Sequence, residues 1–148
     1  MKLLLAIDDS KYSQAAVRML VEQNNPRKTA VRVLHVVEPL EAPYYPELST
    51  PPYPTNLSEI NRGRMKAGRD LVEGVLKKLR AAGFQAESSV RAGHVRTVAV
   101  EAAKKWHADL IVVGSHGRTG LKRILLGSVS DYIARHAHCS VEIVRTAR

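Results

Sequence analysis

Two hydrophobic periods alternate along this chain. Short, nearly continuous apolar runs, such as "KLLLAI" at 2–7, are typical of strands that are covered on both faces. Between these runs, apolar residues recur every three or four positions, as they do on one face of a helix. Strands are predicted at 2–7, 30–37, 84–92, 109–115 and 141–145. Helices are predicted at 13–23, 57–80, 95–106 and from Val129 to His136.

Strand and helix follow one another from end to end, which favours βαβ units and a parallel sheet. The length of 148 residues is that of one domain, so we predict a single α/β doubly wound domain over 1–148. If the chain winds outward from its first strand and resumes on the other side at its fourth, a crevice opens at the carboxyl ends of these two strands. That crevice would lie between "AIDDS" and "VVGSHG".

One interval breaks the alternation. Residues 38–56 hold six of the seven prolines and three of the five tyrosines. A proline-rich connection of this length is uncommon in a compact domain and is typical of a lid, a binding loop or a mobile surface loop. The surface loop is the favoured interpretation, and a cover over a ligand, formed by Tyr44, Tyr45 and Tyr53, is the alternative.

Composition limits the location of the protein. A hydrophobic content of 45% and a charged content of 25% are ordinary for a globular protein in water. No apolar run approaches the roughly 18 residues of a membrane span. The start "MKLLLAIDDS" lacks a signal-peptide cleavage site, and the single Cys139 excludes an internal disulfide framework. We therefore expect a cytoplasmic protein with no membrane partner.

The formal net charge of +9 favours an anionic partner. The basic residues are spread along the chain, however, with no run of five or six. Aromatic residues make up only 5%, which leaves little material for stacking on bases. Nucleic-acid binding is therefore less favoured than the binding of a nucleotide.

Glycines are concentrated in "GSHGRTGLKRILLGSVSDY" (114–132), directly after the fourth predicted strand. Gly114 would let the backbone approach a ligand closely, and Gly117 and Gly120 would permit positive φ in the loop. Asp8, with Asp9 and Ser10 beside it, would face Gly114 and Gly117 across the crevice. An ordinary tight connection would also explain the loop glycines, but it explains the later Gly127 less well.

The second part of this stretch predicts an anion site at a helix start. Ser128 would be the N-cap of the last helix, with Asp131 completing an approximate capping box. A helix start with unpaired N–H groups behind a glycine is suited to phosphate. Arg118, Lys122 and Arg123 would add positive charge on the loop. The sequence contains neither G-x-x-x-x-G-K-[ST] nor a G-x-G-x-x-G after the first strand, which argues against both common phosphate loops.

Several side chains have a plainer interpretation beside the functional one. For Asp8 a ligand contact is favoured over helix capping, and for Asp9 the preference is reversed. His116 is expected to face solvent in a turn, and Trp106 is expected in the core. His136, His138 and Cys139 lie close in sequence without a fourth ligand, so no metal site is predicted from them.

The spacing G-x2-G-x9-G-[ST], formed by Gly114, Gly117, Gly127 and Ser128, resembles the nucleotide-binding motif of the ATP-binding subgroup of the universal stress protein family. The resemblance extends over "LLAIDDS", "VLHVVEP", "HADLIVVGSHGRTGLKRILLGSVS" and "HAHCSVEIVR". It implies a five-stranded parallel sheet of order 3-2-1-4-5 with helices on both faces, and a homodimer joined through the last strand, 141–145. Glu142 departs from the apolar character usual there, and Ser140 stands where proline is common.

The resemblance also implies ATP in the crevice, with Mg²⁺ or Mn²⁺ bridging its phosphates. Asp8 would lie near the ribose or the metal, and the backbone of Val36 would meet the adenine edge. Gly114 and Gly117 would flank the ribose and phosphates, while Gly127 with Ser128 would hold the outer phosphates. The expected binding residues are Asp8, Val36, Gly114, Gly117, Arg118, Gly127, Ser128 and Val129.

The function expected is that of an ATP-binding universal stress protein, acting in a stress response or in regulation through its nucleotide. The alternatives are a slow ATP hydrolase or adenine-nucleotide-cleaving enzyme and, less favoured, a basic nucleic-acid-binding module. Phosphoryl transfer needs a positioned water or acceptor. The sequence offers only Asp8 for that task, so at most slow hydrolysis is expected.

Overall fold

The computed structural model describes residues 1–41, 56–117 and 126–146. Strands and helices alternate within them: β1 (Lys2–Ala6), α1 (Lys11–Gln23), β2 (Ala30–Val37), α2 (Leu57–Ala81), β3 (Gln85–Ala92), α3 (Val95–Trp106), β4 (Leu110–Gly114), α4 (Ser128–His136) and β5 (Ser140–Val144). The predicted strands and helices are all present, with ends that differ from the predictions by two residues at most. None of the helices in these ranges combines the length and the apolar character that a membrane span requires.

The five strands form one parallel sheet in the order β3-β2-β1-β4-β5, which confirms the predicted fold class. The central strand β1 pairs with β2 on one side, where Ala6 is opposite Leu34, and with β4 on the other, where Ala6 is opposite Val113. The winding therefore reverses between β1 and β4, as predicted. The carboxyl ends of these two strands lie side by side at the middle of the sheet.

Two apolar layers hold the helices to the sheet. On one face α1 and α2 cover residues such as Leu3, Leu5 and Val33, and on the other α3 and α4 cover residues such as Leu4 and Ile111. Consecutive residues of β1 point to opposite faces, so a strand covered on both sides needs an unbroken apolar run. Leu3, Leu4 and Leu5 are each 0% exposed, and full burial of such a side chain contributes about 1.5–3 kcal/mol.

The carboxyl ends of α2 and α3 lie at the amino edge of the sheet. Gly83, two residues after the end of α2, has a φ of 89°, a left-handed conformation that glycine adopts without strain. Trp106 packs against the core at the end of α3 and is half-buried, and the Arg32 guanidinium lies 4.5 Å from the centre of its ring. Trp106 is thus a boundary residue, not the fully buried one expected.

Candidate functional site

The candidate site lies at the carboxyl edge of the sheet, where β1 and β4 end side by side. Asp8 follows β1 and is half-buried, and Gly117 follows β4. A Cβ placed on Gly117 would stand 3.1 Å from Asp8 Oδ2, so the two residues face each other directly. The structure therefore brings together the two chain segments that the sequence predicted on opposite sides of one crevice.

Two serines hold the Asp8 carboxylate in a fixed orientation. Its Oδ1 accepts hydrogen bonds from Ser13 Oγ at 2.7 Å and from the backbone N–H of Ser10 at 3.1 Å. The backbone N–H of Asp8 donates in turn to Ser13 Oγ at 2.9 Å. Because Oδ1 is engaged in this way, Oδ2 is the oxygen turned toward Gly117.

The N-cap of α1 is Ser10, whose side chain accepts from the backbone N–H of Ser13 at 3.2 Å. The capping role expected for Asp9 is therefore wrong. Ser10 and Ser13 are both buried, and together they connect the end of β1 to the first turn of α1. Sequence analysis missed Ser13, although its spacing of three from a serine before a helix is the signal of a capped helix start.

The carbonyl of Ser115 fixes the start of α4. It accepts from the backbone N–H of Gly127 at 2.8 Å and from Ser130 Oγ at 3.0 Å. Ser130 Oγ also lies 2.9 Å from Gly127 O. Both serines are buried, so the loop after β4 and the first turn of α4 are fastened to each other. Sequence analysis did not single out Ser130, because its partner is 15 residues away.

The N-cap of α4 is Gly127, and no side chain caps it. The prediction of Ser128 as the N-cap is wrong, since Ser128 is the first helical residue, and Asp131 pairs with Arg135 at 3.0 Å instead of completing a capping box. A Cβ on Gly127 would stand 3.2 Å from Ser115 O, so a side chain at this position would be tightly packed against the backbone. Within the described residues, the backbone N–H groups of Ser128 and Val129 have no hydrogen-bond partner.

At two positions, Gly114 and Gly117, the structure does not show the backbone property for which glycine was expected. Gly117 does not have the positive φ expected of it; the described glycines with positive φ are Gly83 and Gly93. Gly114 is buried, and a Cβ there would stand 2.8 Å from the backbone carbon of Tyr12. The missing side chain at Gly114 makes room for the first turn of α1.

His116 does not face solvent as predicted. Its side chain is half-buried, with its ring centre 5.1 Å from that of Tyr12 and Nδ1 3.2 Å from Ser115 Oγ. Its Nε2 is buried and has no hydrogen-bond partner among the described residues. An unpaired buried polar atom costs about 1–3 kcal/mol, so this nitrogen adds a polar group in need of a partner beside the α4 start.

Val36 lies next to the last residue of β2, at the same edge of the sheet. A cleft of about 220 Å³ opens there, with Asp9, Val36 and Leu71 in its lining. Glu38 closes one side, since its carboxylate accepts from the backbone N–H of Val95 at 3.2 Å. The cleft thus joins the end of β2 to the start of α3.

A larger cleft of about 690 Å³ lies at the opposite, amino edge, where Arg27 and Lys28 contribute positive charge and His107 also lines the cleft. It contains none of the residues that the sequence predicted in a site. In a parallel doubly wound sheet, ligands bind beyond the carboxyl ends of the strands at the point where the winding reverses. We therefore place the candidate site at the carboxyl edge.

Part of the predicted site lies outside the described residues. This applies to Arg118, to Gly120, Lys122 and Arg123, and to most of the proline-rich interval, including Tyr44, Tyr45 and Tyr53.

Within the described ranges no group of three or more His, Cys, Asp or Glu side chains is arranged to hold a metal ion. Burial raises the pKa of the Cys139 thiol, and the charge of Asp109 raises this pKa further. The protonated, half-buried Cys139 packs against the apolar layer under α3 and α4.

Comparison with known proteins identifies the family. Residues 1–145 match the universal stress protein family. The chain belongs to this family. Among curated universal stress proteins, YxiE of Bacillus subtilis is 32% identical over 152 residues, which cover 97% of this chain and 98% of that protein.

Solved structures of other universal stress proteins show the same fold. The structure of protein MJ0577, from Methanocaldococcus jannaschii, superposes with a TM-score of 0.85 at 24% identity, covering 99% of this chain and 96% of that one. A universal stress protein family member from Arabidopsis thaliana with AMP bound gives a TM-score of 0.72 at 21% identity, covering 99% of this chain and 92% of that one. These likenesses extend the five-stranded sheet order to structures determined for other members of the family.

The packing of Gly114 against Tyr12 generates a stability prediction. Gly114→Ala should lower the free energy of unfolding by about 1–3 kcal/mol, because its Cβ would overlap backbone atoms that cannot move easily. Gly74→Ala is the matched control: a Cβ in this exposed part of α2 meets no atom within 4 Å, and alanine in a helix gains about 0.5–1 kcal/mol over glycine.

Urea unfolding followed by circular dichroism measures both variants. If Gly114→Ala were as stable as the original protein, α1 would not be packed on β4 as closely as described.

Proposed function

We propose that this universal stress protein binds ATP at the carboxyl edge between β1 and β4, and acts in the cytoplasm as a nucleotide-dependent regulatory protein. The phosphates lie at the start of α4, on the N–H groups of Ser128 and Val129 and beside Gly117 and Gly127. Asp8 lies near the ribose or the metal, and the backbone of Val36 meets the adenine. Arg118 adds charge from the loop after β4.

The observation that carries this proposal is the uncapped but firmly held start of α4. The hydrogen bonds from Gly127 and Ser130 to Ser115 O fix the turn, so the N–H groups of Ser128 and Val129 are oriented before any ligand arrives. The N-terminus of a helix carries about half a positive charge and presents N–H donors to an anion. A phosphate group uses both properties at once.

Adenine is the base that the comparisons support. The Arabidopsis member whose fold matches this chain is described with AMP bound. In the present protein the adenine edge would meet the cleft at the end of β2, where Val36 is half-buried. The half-buried position next to an apolar side chain is suited to a flat purine ring.

A bridging Mg²⁺ or Mn²⁺ would be held chiefly by the phosphates, since the described residues form no cluster of three ligands for it. The Asp8 carboxylate is the hard oxygen ligand that the chain offers at this place, through Oδ2. When bound, the metal would neutralise phosphate charge. Asp8 keeps its orientation through Ser10 and Ser13 whether or not the metal is there.

We propose that the nucleotide is held and not efficiently turned over. Asp8 is the carboxylate that directly faces the loop after β4, and its Oδ1 already accepts two hydrogen bonds. Steady turnover above roughly one per second, near the low end of ordinary enzymes, would favour the adenine-nucleotide-cleaving alternative.

We also propose a homodimer through the open edge of β5. The N–H of Ser115 donates to Val144 O at 2.8 Å, so Val144 directs its backbone groups toward β4. Alternate residues of a strand direct these groups to opposite sides, and Val141 and Ile143 therefore direct theirs to the open edge. A second copy of β5 can pair with that edge. The backbone groups of Glu142 are directed toward β4, and this residue is half-buried.

The α4 start predicts how substitutions at Ser128 change ATP affinity. Ser128→Pro removes one N–H group at the first helical position, where proline is well accepted. Gly127, with φ of −64° and ψ of 151°, already has the extended conformation required before proline. We expect the affinity for Mg-ATP to fall about tenfold or more, since a hydrogen bond to a charged group is worth about 1.5–3 kcal/mol.

Ser128→Ala is the matched control, because it removes the hydroxyl but keeps the N–H group. Isothermal titration calorimetry should show a smaller loss for Ser128→Ala than for Ser128→Pro. Equal affinities of Ser128→Pro and the original protein for Mg-ATP would place the phosphates somewhere else.

The β5 edge predicts the effect of proline at Val141. Val141→Pro removes an N–H group on the open side and leaves the ladder to β4 intact, which an edge strand tolerates. We expect sedimentation velocity to show a dimer for the original protein and for Val141→Ala, and a monomer for Val141→Pro. A dimer that persists in Val141→Pro would contradict pairing through this edge.

A further inference from the structure

His35, in β2, makes a hydrogen bond that the sequence did not predict. Its Nδ1 lies 2.8 Å from the backbone carbonyl oxygen of Ile7, the residue that follows β1. A carbonyl oxygen only accepts hydrogen bonds, so Nδ1 carries the proton and donates it. The Ile7 carbonyl therefore orients the His35 ring, which is half-buried.

In a regular parallel ladder the Ile7 carbonyl would accept a hydrogen bond from the N–H of Val36, and this bond is missing among the described residues. The N–H of Ile7 donates to Leu34 O at 2.9 Å, which is the last backbone hydrogen bond between the two chain segments. In a parallel ladder the next donor is the N–H of Val36, two residues after Leu34, and its acceptor is Ile7 O. No such bond is present among the described residues, and the hydrogen bond that Ile7 O accepts there comes from the His35 ring.

The consequence is a backbone edge at Val36 that has no hydrogen-bond partner among the described residues. The carbonyl of the next residue, Val37, accepts from the N–H of Gly93 at 3.0 Å, on the β3 side. Val36 therefore directs both its N–H and its C=O to the other side, beyond the end of β1. A donor and an acceptor of one residue lie side by side in the cleft that Val36 lines.

A glycine in the middle of α2 makes room for the ring. A Cβ on Gly68 would stand 2.7 Å from His35 Cδ2. Glycine inside a helix costs about 1 kcal/mol relative to alanine, so α2 carries a less stable residue at the point where the ring enters. Val90 Cγ1, 3.3 Å from the same Cβ position, borders this space on the β3 side.

We propose that His35 is a positioning residue for the base of the nucleotide. By donating to Ile7 O, it prevents Val36 from closing the β1–β2 ladder and keeps the N–H and C=O of Val36 available. This pair matches the N1 acceptor and the 6-amino donor of a 6-aminopurine, whereas a 6-oxopurine presents the opposite order. The identity of the base rests on the proposed function, but the open edge does not.

The open edge is tested without nucleotide, by amide hydrogen exchange in ¹⁵N-labelled protein. We expect Val36 N–H to exchange at least about tenfold faster than Leu34 N–H, which is bonded within the sheet. In His35→Phe the Val36 amide should become protected by about tenfold, because Ile7 O is released to it. His35→Asn, whose side-chain N–H₂ lies near the position of Nδ1, should keep the original pattern.

Equal protection of Val36 and Leu34 in the original protein would overturn the proposal. So would unchanged exchange of Val36 in His35→Phe, provided that the Leu34 amide shows the sheet to be intact.

The base-reading role is tested by titrating Mg-ATP and Mg-ITP into the same proteins. We expect the original protein and His35→Asn to bind ATP more tightly than ITP. His35→Phe should lose about tenfold in ATP affinity, so that the ratio of its ATP affinity to its ITP affinity falls toward one. His138→Phe, an exposed histidine before β5, is the matched control and should behave as the original protein.

An unchanged preference for ATP in His35→Phe would overturn the base-reading role. Failure of the original protein to bind either nucleotide would instead overturn the proposed function and the choice of base with it. The exchange experiment would still decide whether His35 holds the Val36 edge open.

Discussion

The early end of β1 is the constraint on which the rest of the site depends. β1 pairs with β2 and β4 in the middle of the sheet, but its pairing ends at Ala6, while β2 continues through Val37. Because β1 ends before β2, the carboxyl edge of the sheet has a step at β1. Polar groups from the flanking segments lie at this step. Asp8 turns toward the loop after β4, and the His35 ring donates a hydrogen bond to the carbonyl of Ile7, directly after β1.

Hydrogen bonds from α1 and from the start of α4 hold the chain in place around this step. Ser13 holds Asp8 from α1, and Ser115 holds Gly127 and Ser130 at the start of α4. The proposed ATP site therefore requires little rearrangement of its described walls, which limits the ordering free energy that binding must offset.

The fold could be predicted because its signals are local. The unbroken apolar run of Leu3, Leu4 and Leu5 specifies a strand buried on both faces, and the helical period of α3 specifies one covered side. The juxtaposition of Asp8 and Gly117 followed from topology alone, since the carboxyl ends of parallel strands share one edge. Family membership followed from the spacing of four residues around the α4 start.

What sequence analysis could not predict depends on contacts between residues far apart in the chain. Serine is a preferred N-cap, which favoured Ser128, but the N-cap is Gly127, where Ser115 O approaches closely. Gly114 was expected to face a ligand, because the sequence does not indicate that Tyr12 packs against it. The bond from His35 to Ile7 joins residues 28 positions apart, and no local pattern indicates it.

The central claim is that ATP binds at the carboxyl edge between β1 and β4, with its phosphates at the start of α4. The most direct measurement is a titration of Mg-ATP into ¹⁵N-labelled protein, followed by the amide resonances of the whole chain. The account predicts the largest shifts at Val36, Gly117, Ser128 and Val129. Shifts confined to Arg27, Lys28 and His107, around the cleft at the amino edge, would contradict it.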